Sequence, residues 1–378
     1  KIQGVFFSKK NKKNQMKFRT TKEKLFSALN ETNKIIPIRT TLPILSCVLI
    51  KTTKEKIILT ATDLEQTVIT EVLAEVPEEG SIAVPGNRFM EIVAALPSGP
   101  IEIASKEDKE VEISSPKGVY KIMGKEPSEY PETPQLNSNQ KIKIKGKELL
   151  DIINNTLYAV SKDDLKPALC GIYLNIANKS ITAVSTDGHR LVKYEKEVEA
   201  QNPEGAIIIP GKFFSILKNN INITGEILIN MSENHIEVTE NNTTTITRII
   251  KESFPDFNSV IPDQKNNKVT INSNNLNEAV KRVSIFSNKT TRQIILSFEN
   301  NEIVVSTEDK ETKSSAKEHI ACEFEGENVS VAYNAQYLRE VVQHLDSNDI
   351  NIFLGTPRTA AVFKPQKEKE KTKLTALL

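Results

Sequence analysis

The sequence predicts an α+β fold made of three tandem copies of one unit, each with two helices and several antiparallel strands. Three sets of short motifs predict it. Thr62-Asp63-Leu64-Glu65 resembles Thr186-Asp187-Gly188-His189, and both resemble Thr307-Glu308-Asp309. Ala83-Val84-Pro85-Gly86 matches Ile208-Ile209-Pro210-Gly211, and more loosely Val329–Leu338. Glu129-Tyr130-Pro131 matches Ser253-Phe254-Pro255. The offsets between copies one and two are 124, 125 and 124 residues, and the second motif returns after a further 122. Anchors in one order at one offset signal internal repetition.

Each copy opens with a helical pattern. Leu25, Leu29, Thr32 and Ile36 share a face in the first, and Leu149, Ile152, Ile153, Thr156, Leu157 and Val160 in the second. Leu276, Ala279, Val280 and Val283 do so in the third. Spacings of three and four place one apolar stripe against a core. Thr21 is expected to cap the first helix, and Asn274 or Asn275 the third. Strands rich in Ile, Val and Thr follow, at Pro43–Ile50, Lys56–Ala61 and Thr67–Val76 in copy one. A Pro-Gly step then leads into a second helix, with Phe89, Ile92, Val93 and Leu96 apolar in copy one. Phe213, Phe214, Ile216 and Leu217 repeat this pattern, as do Tyr337, Leu338, Val341, Val342 and Leu345. Further strands close each copy, such as Ile101–Ala104, Val111–Ser114 and Gly118–Met123. Polar stretches at Leu136–Gln140 and Asp263–Asn267 mark the boundaries. The expected domains are 16–140, 141–264 and 265–378, with 1–15 an extension whose polar composition allows disorder. Each domain has about 120 residues, an ordinary domain size.

Of the 378 residues, 38% are hydrophobic and 26% charged, and the formal net charge is +1. That composition is globular, without a global pull towards nucleic acid or membrane. No apolar run is long enough to span a bilayer, and Val5-Phe6-Phe7 is too short for a signal-peptide core. A cytoplasmic location is therefore expected. Cys47, Cys170 and Cys322 are too few and too scattered for a disulfide framework. The repeat puts Cys47 and Cys170 at equivalent positions, so they are expected as separate buried thiols.

Motifs for chemistry are absent. The chain has no phosphate-binding Gly-rich loop, no Cys-x-x-Cys and no His-x-x-x-His. No metal and no cofactor is expected. Ser185–Val192 reads as strand, turn, strand: Asp187-Gly188 suits a tight turn and Leu191-Val192 restarts a strand. Asp187 and His189 flank the turn glycine with no nucleophile beside them, so no catalytic role is assigned. Asp63, Asp187 and Asp309 recur by repeat position and read as turn-forming carboxylates.

These motifs resemble the bacterial DNA polymerase III beta subunit family, the sliding clamps, from Met16-Lys17-Phe18 to the end of the chain. The resemblance rests on Thr186–Leu191 and on Phe254-Pro255-Asp256-Phe257 followed by Val260 and Pro262. Arg39–Leu45, Thr62-Asp63-Leu64-Glu65 and Ser287-Asn288-Lys289 support it. It implies a non-catalytic processivity subunit of a nucleotidyltransferase holoenzyme. Its fold would be a ring closed head-to-tail from two chains, encircling duplex DNA without regard to sequence. Basic residues facing the DNA would be Arg39, Lys22, Lys34, Arg88, Lys147, Lys212, Lys218, Lys281, Arg282 and Arg339.

The resemblance also implies an apolar cleft for short hydrophobic motifs of the polymerase, clamp loader and repair proteins. It would be built from Leu169, Thr186, Gly188, His189, Arg190, Leu191, Pro255, Val260, Tyr337, Leu377 and Leu378. Lys117, Tyr120 and Ile122 would meet Ile285 and Phe286 across the dimer contact. Three departures stand out. Ser259 replaces a frequent basic residue, Leu374–Leu378 replaces a Met-Pro-Met-Arg-Leu-like end, and 308–313 mixes signs where an acidic run is usual. The two terminal leucines are expected to be exposed at the cleft edge, with little part in the core. Two other readings fit the residues alone: a repeat scaffold that does not close into a ring, and an enzyme with an unmarked site.

Overall fold

The computed structural model describes residues 15–136, 140–199, 202–262 and 267–378. Residues 1–14 of the expected extension, and most of both expected boundary stretches, lie outside them. The chain divides into two compact units, Lys1–Lys141 with Ile227–Arg248, and Ile142–Glu226 with Ile249–Leu378. Among the described residues, no helix is long and apolar enough to cross a membrane.

The first unit packs helices α1 (Lys22–Thr32) and α2 (Gly86–Ala95) against each other and against antiparallel sheet. Thr21 caps α1 as expected, its hydroxyl accepting from the Lys24 amide. Five strands run in the order Glu75–Glu78, Met16–Thr21, Pro100–Ser105, Glu110–Ser115, Gly118–Met123. A second sheet brings Thr243–Arg248 beside Gln66–Leu73, with Thr245 opposite Val68. The strand expected over Thr67–Val76 is two, Gln66–Leu73 and Glu75–Glu78. Pro43–Ser46 is a 3₁₀ turn and the strand begins at Cys47, because Pro43 lacks the amide a ladder needs.

The second unit holds α3 (Gly146–Thr156), α4 (Gly211–Leu217), α5 (Ser273–Ser284) and α6 (Ala335–His344). Asn272 caps α5, accepting from the Asn275 amide, so the cap lies two residues before the earlier of the two asparagines expected. Nine strands form one sheet, ordered Gly205–Pro210, Gly171–Ala177, Ser180–Thr186, Leu191–Glu197, Thr372–Leu377, Val362–Pro365, Asp349–Leu354, Asn267–Asn272, Glu323–Glu325. A four-stranded sheet places Ser314–Ala321 at one edge, then Glu302–Asp309, Gln293–Glu299 and Val329–Asn334.

The repeated motifs have repeated physical jobs. Asp63 Oδ1 accepts from the amides of Glu65 and Gln66, and Asp187 Oδ1 accepts from those of His189 and Arg190. Asp309 Oδ1 accepts from the Glu311 amide. All three carboxylates fold turns, as the sequence implied. The Pro-Gly step exists because α2 and α4 start in close contact with the preceding helical segment. A Cβ on Gly86 would sit 2.2 Å from Ile36 Cδ1, and one on Gly211 2.9 Å from Val160 Cγ1. Cys47 is a buried free thiol, while Cys170 and Cys322 are free but only partly buried.

One expectation is overturned. Leu377 is 3% exposed and belongs to an interior strand, paired with Leu191 on one side and Val362 on the other. It shares a core cluster with Val184, Leu191 and Val362. Leu374, Ala376 and Leu377 of the strand Thr372–Leu377 are buried, the last two on opposite faces, so the tail is sheet and not a fringe. Leu377→Ala is therefore expected to lower stability by about 2–5 kcal/mol, the range for a truncated core leucine. Urea denaturation measures this, and an unchanged midpoint would mean that the strand is dispensable.

Candidate functional site

The turn at 187–190 builds the site. Thr186 donates to the Arg190 carbonyl at 2.6 Å and accepts from the Gly188 amide at 3.1 Å, closing the turn. Gly188 takes φ +87°, a conformation that glycine adopts without steric cost. The turn leaves His189 exposed and sends Arg190 inward, where it is 8% exposed.

Beside the turn lies an apolar groove of about 280 Å³. Leu191 and Leu377 form its floor; Leu169, Pro255 and Val260 are among its walls. Thr186, Gly188, His189, Arg190 and Leu378 also line it, so every expected cleft residue except Tyr337 is brought together. Val260 is 55% exposed on a short 3₁₀ turn, a large apolar side chain left to water. Phe254 and Phe257 line the groove too and were missed as site residues. Phe254 stacks on Tyr173 with centroids 5.1 Å apart, and Phe257 packs tilted against it at 5.8 Å. Their signal was in the sequence, since both flank Pro255 in the Phe-Pro-Asp-Phe motif. The repeat explains why the first copy differs. Tyr130, the counterpart of Phe254, is buried in a core cluster with Leu45 and Cys47, and its hydroxyl lies 3.1 Å from the Cys47 and Thr60 carbonyls.

Tyr337 lies instead in a neighbouring polar recess of about 800 Å³ that shares His189 and Arg190 with the groove. There Arg190 donates to Glu340 Oε2 and to the Tyr158 carbonyl, and its Nε lies 3.2 Å from Asp187 Oδ2. Burial alone would raise the Glu340 pKa, but hydrogen bonds from Gln336 and Arg190 bring it below the ordinary carboxylate value. The groove thus combines an apolar floor with one rigid polar wall, which suits a short apolar segment with a polar side chain. Among the described residues, no group of three or more His, Cys, Asp or Glu is placed to hold a metal ion.

Of the expected DNA-facing cations, Arg39, Arg88, Lys147, Lys212, Lys218, Lys281 and Arg282 are exposed. Several have charged neighbours: Lys34 pairs with Glu31 at 2.6 Å, Lys281 with Glu278 at 3.8 Å, and Arg282 with Glu318. Arg339 donates to Asn277, and the Lys22 ammonium lies over the Phe26 ring. Of the expected dimer residues, Lys117, Tyr120, Ile285 and Phe286 are exposed. Ile122 is not: it is 8% exposed, the one buried residue of Gly118–Met123. It is removed from the contact set.

Three family models match consecutive stretches of the chain. They are the DNA polymerase III beta subunit N-terminal domain over residues 16–134, the central domain over 143–256 and the C-terminal domain over 258–377. A beta sliding clamp of Staphylococcus epidermidis is 28% identical over 370 residues, covering 95% of this chain and 98% of the relative. One of Chlamydia pneumoniae is 28% identical over 341 residues, covering 90% and 92%. The solved DNA polymerase sliding clamp of Bacillus subtilis matches with a TM-score of 0.90 at 22% identity, over 97% of this chain and 98% of that one. A sliding clamp of Bartonella birtlesii bound to griselimycin matches with a TM-score of 0.90 at 24% identity, over 97% and 99%. With its repeats matched in order from residue 16 to residue 377, the chain belongs to the DNA polymerase III beta subunit family.

Proposed function

We propose that this chain is a DNA sliding clamp whose specific contacts are made through the groove between Leu191, Val260 and Leu377. The observation that carries the proposal is that groove, an apolar site open at the surface with Val260 55% exposed. Filling it with a short hydrophobic motif tethers a polymerase, clamp loader or repair protein to the DNA. Tethering converts repeated encounters into an intramolecular contact at high effective concentration. That a relative of this fold holds griselimycin supports a ligand-taking surface on these proteins. Two chains meet head to tail, and a rotation that closes gives a ring of three repeats per chain. Exposed Arg39, Arg88, Lys147, Lys212 and Lys218 supply phosphate contacts that carry no sequence preference. The ring needs no catalytic group of its own; synthesis belongs to the polymerase it tethers.

The subunit contact has a stated chemistry. Gly118–Met123 and Ser314–Ala321 are edge strands of their sheets, and edges offer unpaired backbone groups to another chain. The carboxylates of the run 308–313 are not equivalent: Glu308 and Glu311 are exposed, whereas Asp309 is turned inward, accepting from the Glu311 amide and the Thr312 hydroxyl, and Arg282 occupies Glu318. Ile285, 76% exposed, and its neighbour Phe286 add an apolar part to the contact.

Two variants test these surfaces. Val260→Asp places a charge in the apolar groove at an already exposed position. It is expected to weaken binding of a labelled peptide carrying a Gln and two apolar residues by roughly ten- to a hundred-fold. Its melting temperature should stay at the wild-type value. Fluorescence anisotropy measures the affinity, and equal affinities would remove the groove from the partner site. Phe286→Asp is expected to turn a dimer into a monomer in sedimentation velocity, because burying an unpaired carboxylate is costly. A persisting dimer would place the contact elsewhere.

A further inference from the structure

Helix α6 carries a stripe that neither the groove nor the core uses. Tyr337, Glu340 and His344 are spaced three and four residues apart and share one face, while Leu338, Val341 and Val342 are buried. That face meets Tyr158, His189 and Arg190 in a continuous stack. The His344 ring lies on Tyr158, with centroids 4.1 Å apart and planes 15° apart. The Arg190 guanidinium lies between Tyr158 and Tyr337, 5.2 and 4.8 Å from the two ring centroids. Tyr337 in turn stacks on His189, with centroids 5.6 Å and planes 19° apart. The order is His344, Tyr158, Arg190, Tyr337, His189, and the last of these is a wall of the groove.

The stack depends on where Arg190 is held. Asp187 has given Oδ1 to two turn amides, and its Oδ2 is an ion-pair neighbour of the Arg190 Nε at 3.2 Å that makes no hydrogen bond to it. Glu340 is therefore the carboxylate that hydrogen-bonds the guanidinium, and Gln336 fixes its other oxygen at 2.9 Å. Glu340 does not line the groove; it lines the recess beside it. We propose that Glu340 is a positioning residue for the groove: it holds Arg190 between Tyr158 and Tyr337, and through Tyr337 sets the plane of His189. This rests on the groove being the partner site. A buried guanidinium that loses its hydrogen-bonded carboxylate and keeps only Asp187 shifts towards Asp187, and the rings packed on it shift with it.

The chain has four histidines, so a histidine-labelled protein gives four ring signals. Glu340→Gln keeps the shape and removes the charge. It is expected to shift the His189 and His344 signals, to leave those of His235 and His319 in place, and to weaken the same labelled peptide roughly tenfold. Glu340→Asp keeps the charge on a shorter arm and should recover part of both effects; it carries the comparison if the Gln variant melts early. An unchanged affinity overturns the inference, and so does a loss of affinity with an unmoved His189 signal. A wild-type chain that fails to bind the peptide at all overturns the reading of the groove, and the inference with it.

Discussion

The antiparallel pairing of Leu191–Glu197 with Thr372–Leu377 is the contact on which the groove depends. It joins strands of the central and third repeats into one sheet and fixes Leu191 opposite Leu377. Both faces are covered at this end of the pair, since Leu191 and Val192, and opposite them Leu377 and Ala376, are all buried. Once the register is set, the Asp187–Arg190 turn lies at the end of a rigid ladder and Val260 stands beside it. Neither repeat holds all of the groove, which draws Leu191 from one and Leu377 from the other.

The same motif yields a groove at one place and closed core at another. Tyr130 and Phe254 occupy equivalent positions, yet Tyr130 is buried with its hydroxyl against two carbonyls, whereas Phe254 remains partly exposed on Tyr173. Leu64 and Gly188 both take positive φ at equivalent turn positions, and only the second is a glycine. The turn geometry was retained between copies while the surroundings diverged. A side-chain oxygen bonded to backbone fills space in the first copy that an aromatic face lines in the second.

Much of this was legible in the sequence. The helices, the turn carboxylates and the repeat followed from apolar spacing and from motifs at one offset, because local physics decides them. The cleft residues were legible only through family resemblance, since Leu169, Leu191 and Val260 look like ordinary core in isolation. What failed shows where local signals end. Leu377 read as an exposed tail because strand partners distant in sequence leave no mark near residue 377. Ile122 read as interface because alternation alone does not say which face of an edge strand meets the core. That Arg190 is buried left no local mark either: its burial depends on Glu340 and Tyr158, which are 150 and 32 residues away.

Sheet continuity and surface charge serve one topological function. A protein that holds DNA by enclosure needs no tight phosphate contact, which fits a net charge of +1 and cations partly engaged by neighbouring carboxylates. The direct measurement is retention of the loaded protein on circular DNA, before and after the circle is cut once. Enclosure predicts that the protein stays on the closed circle at high salt and is lost from the ends when the circle is linearised. Equal retention on both forms, or release from both by salt alone, would contradict it.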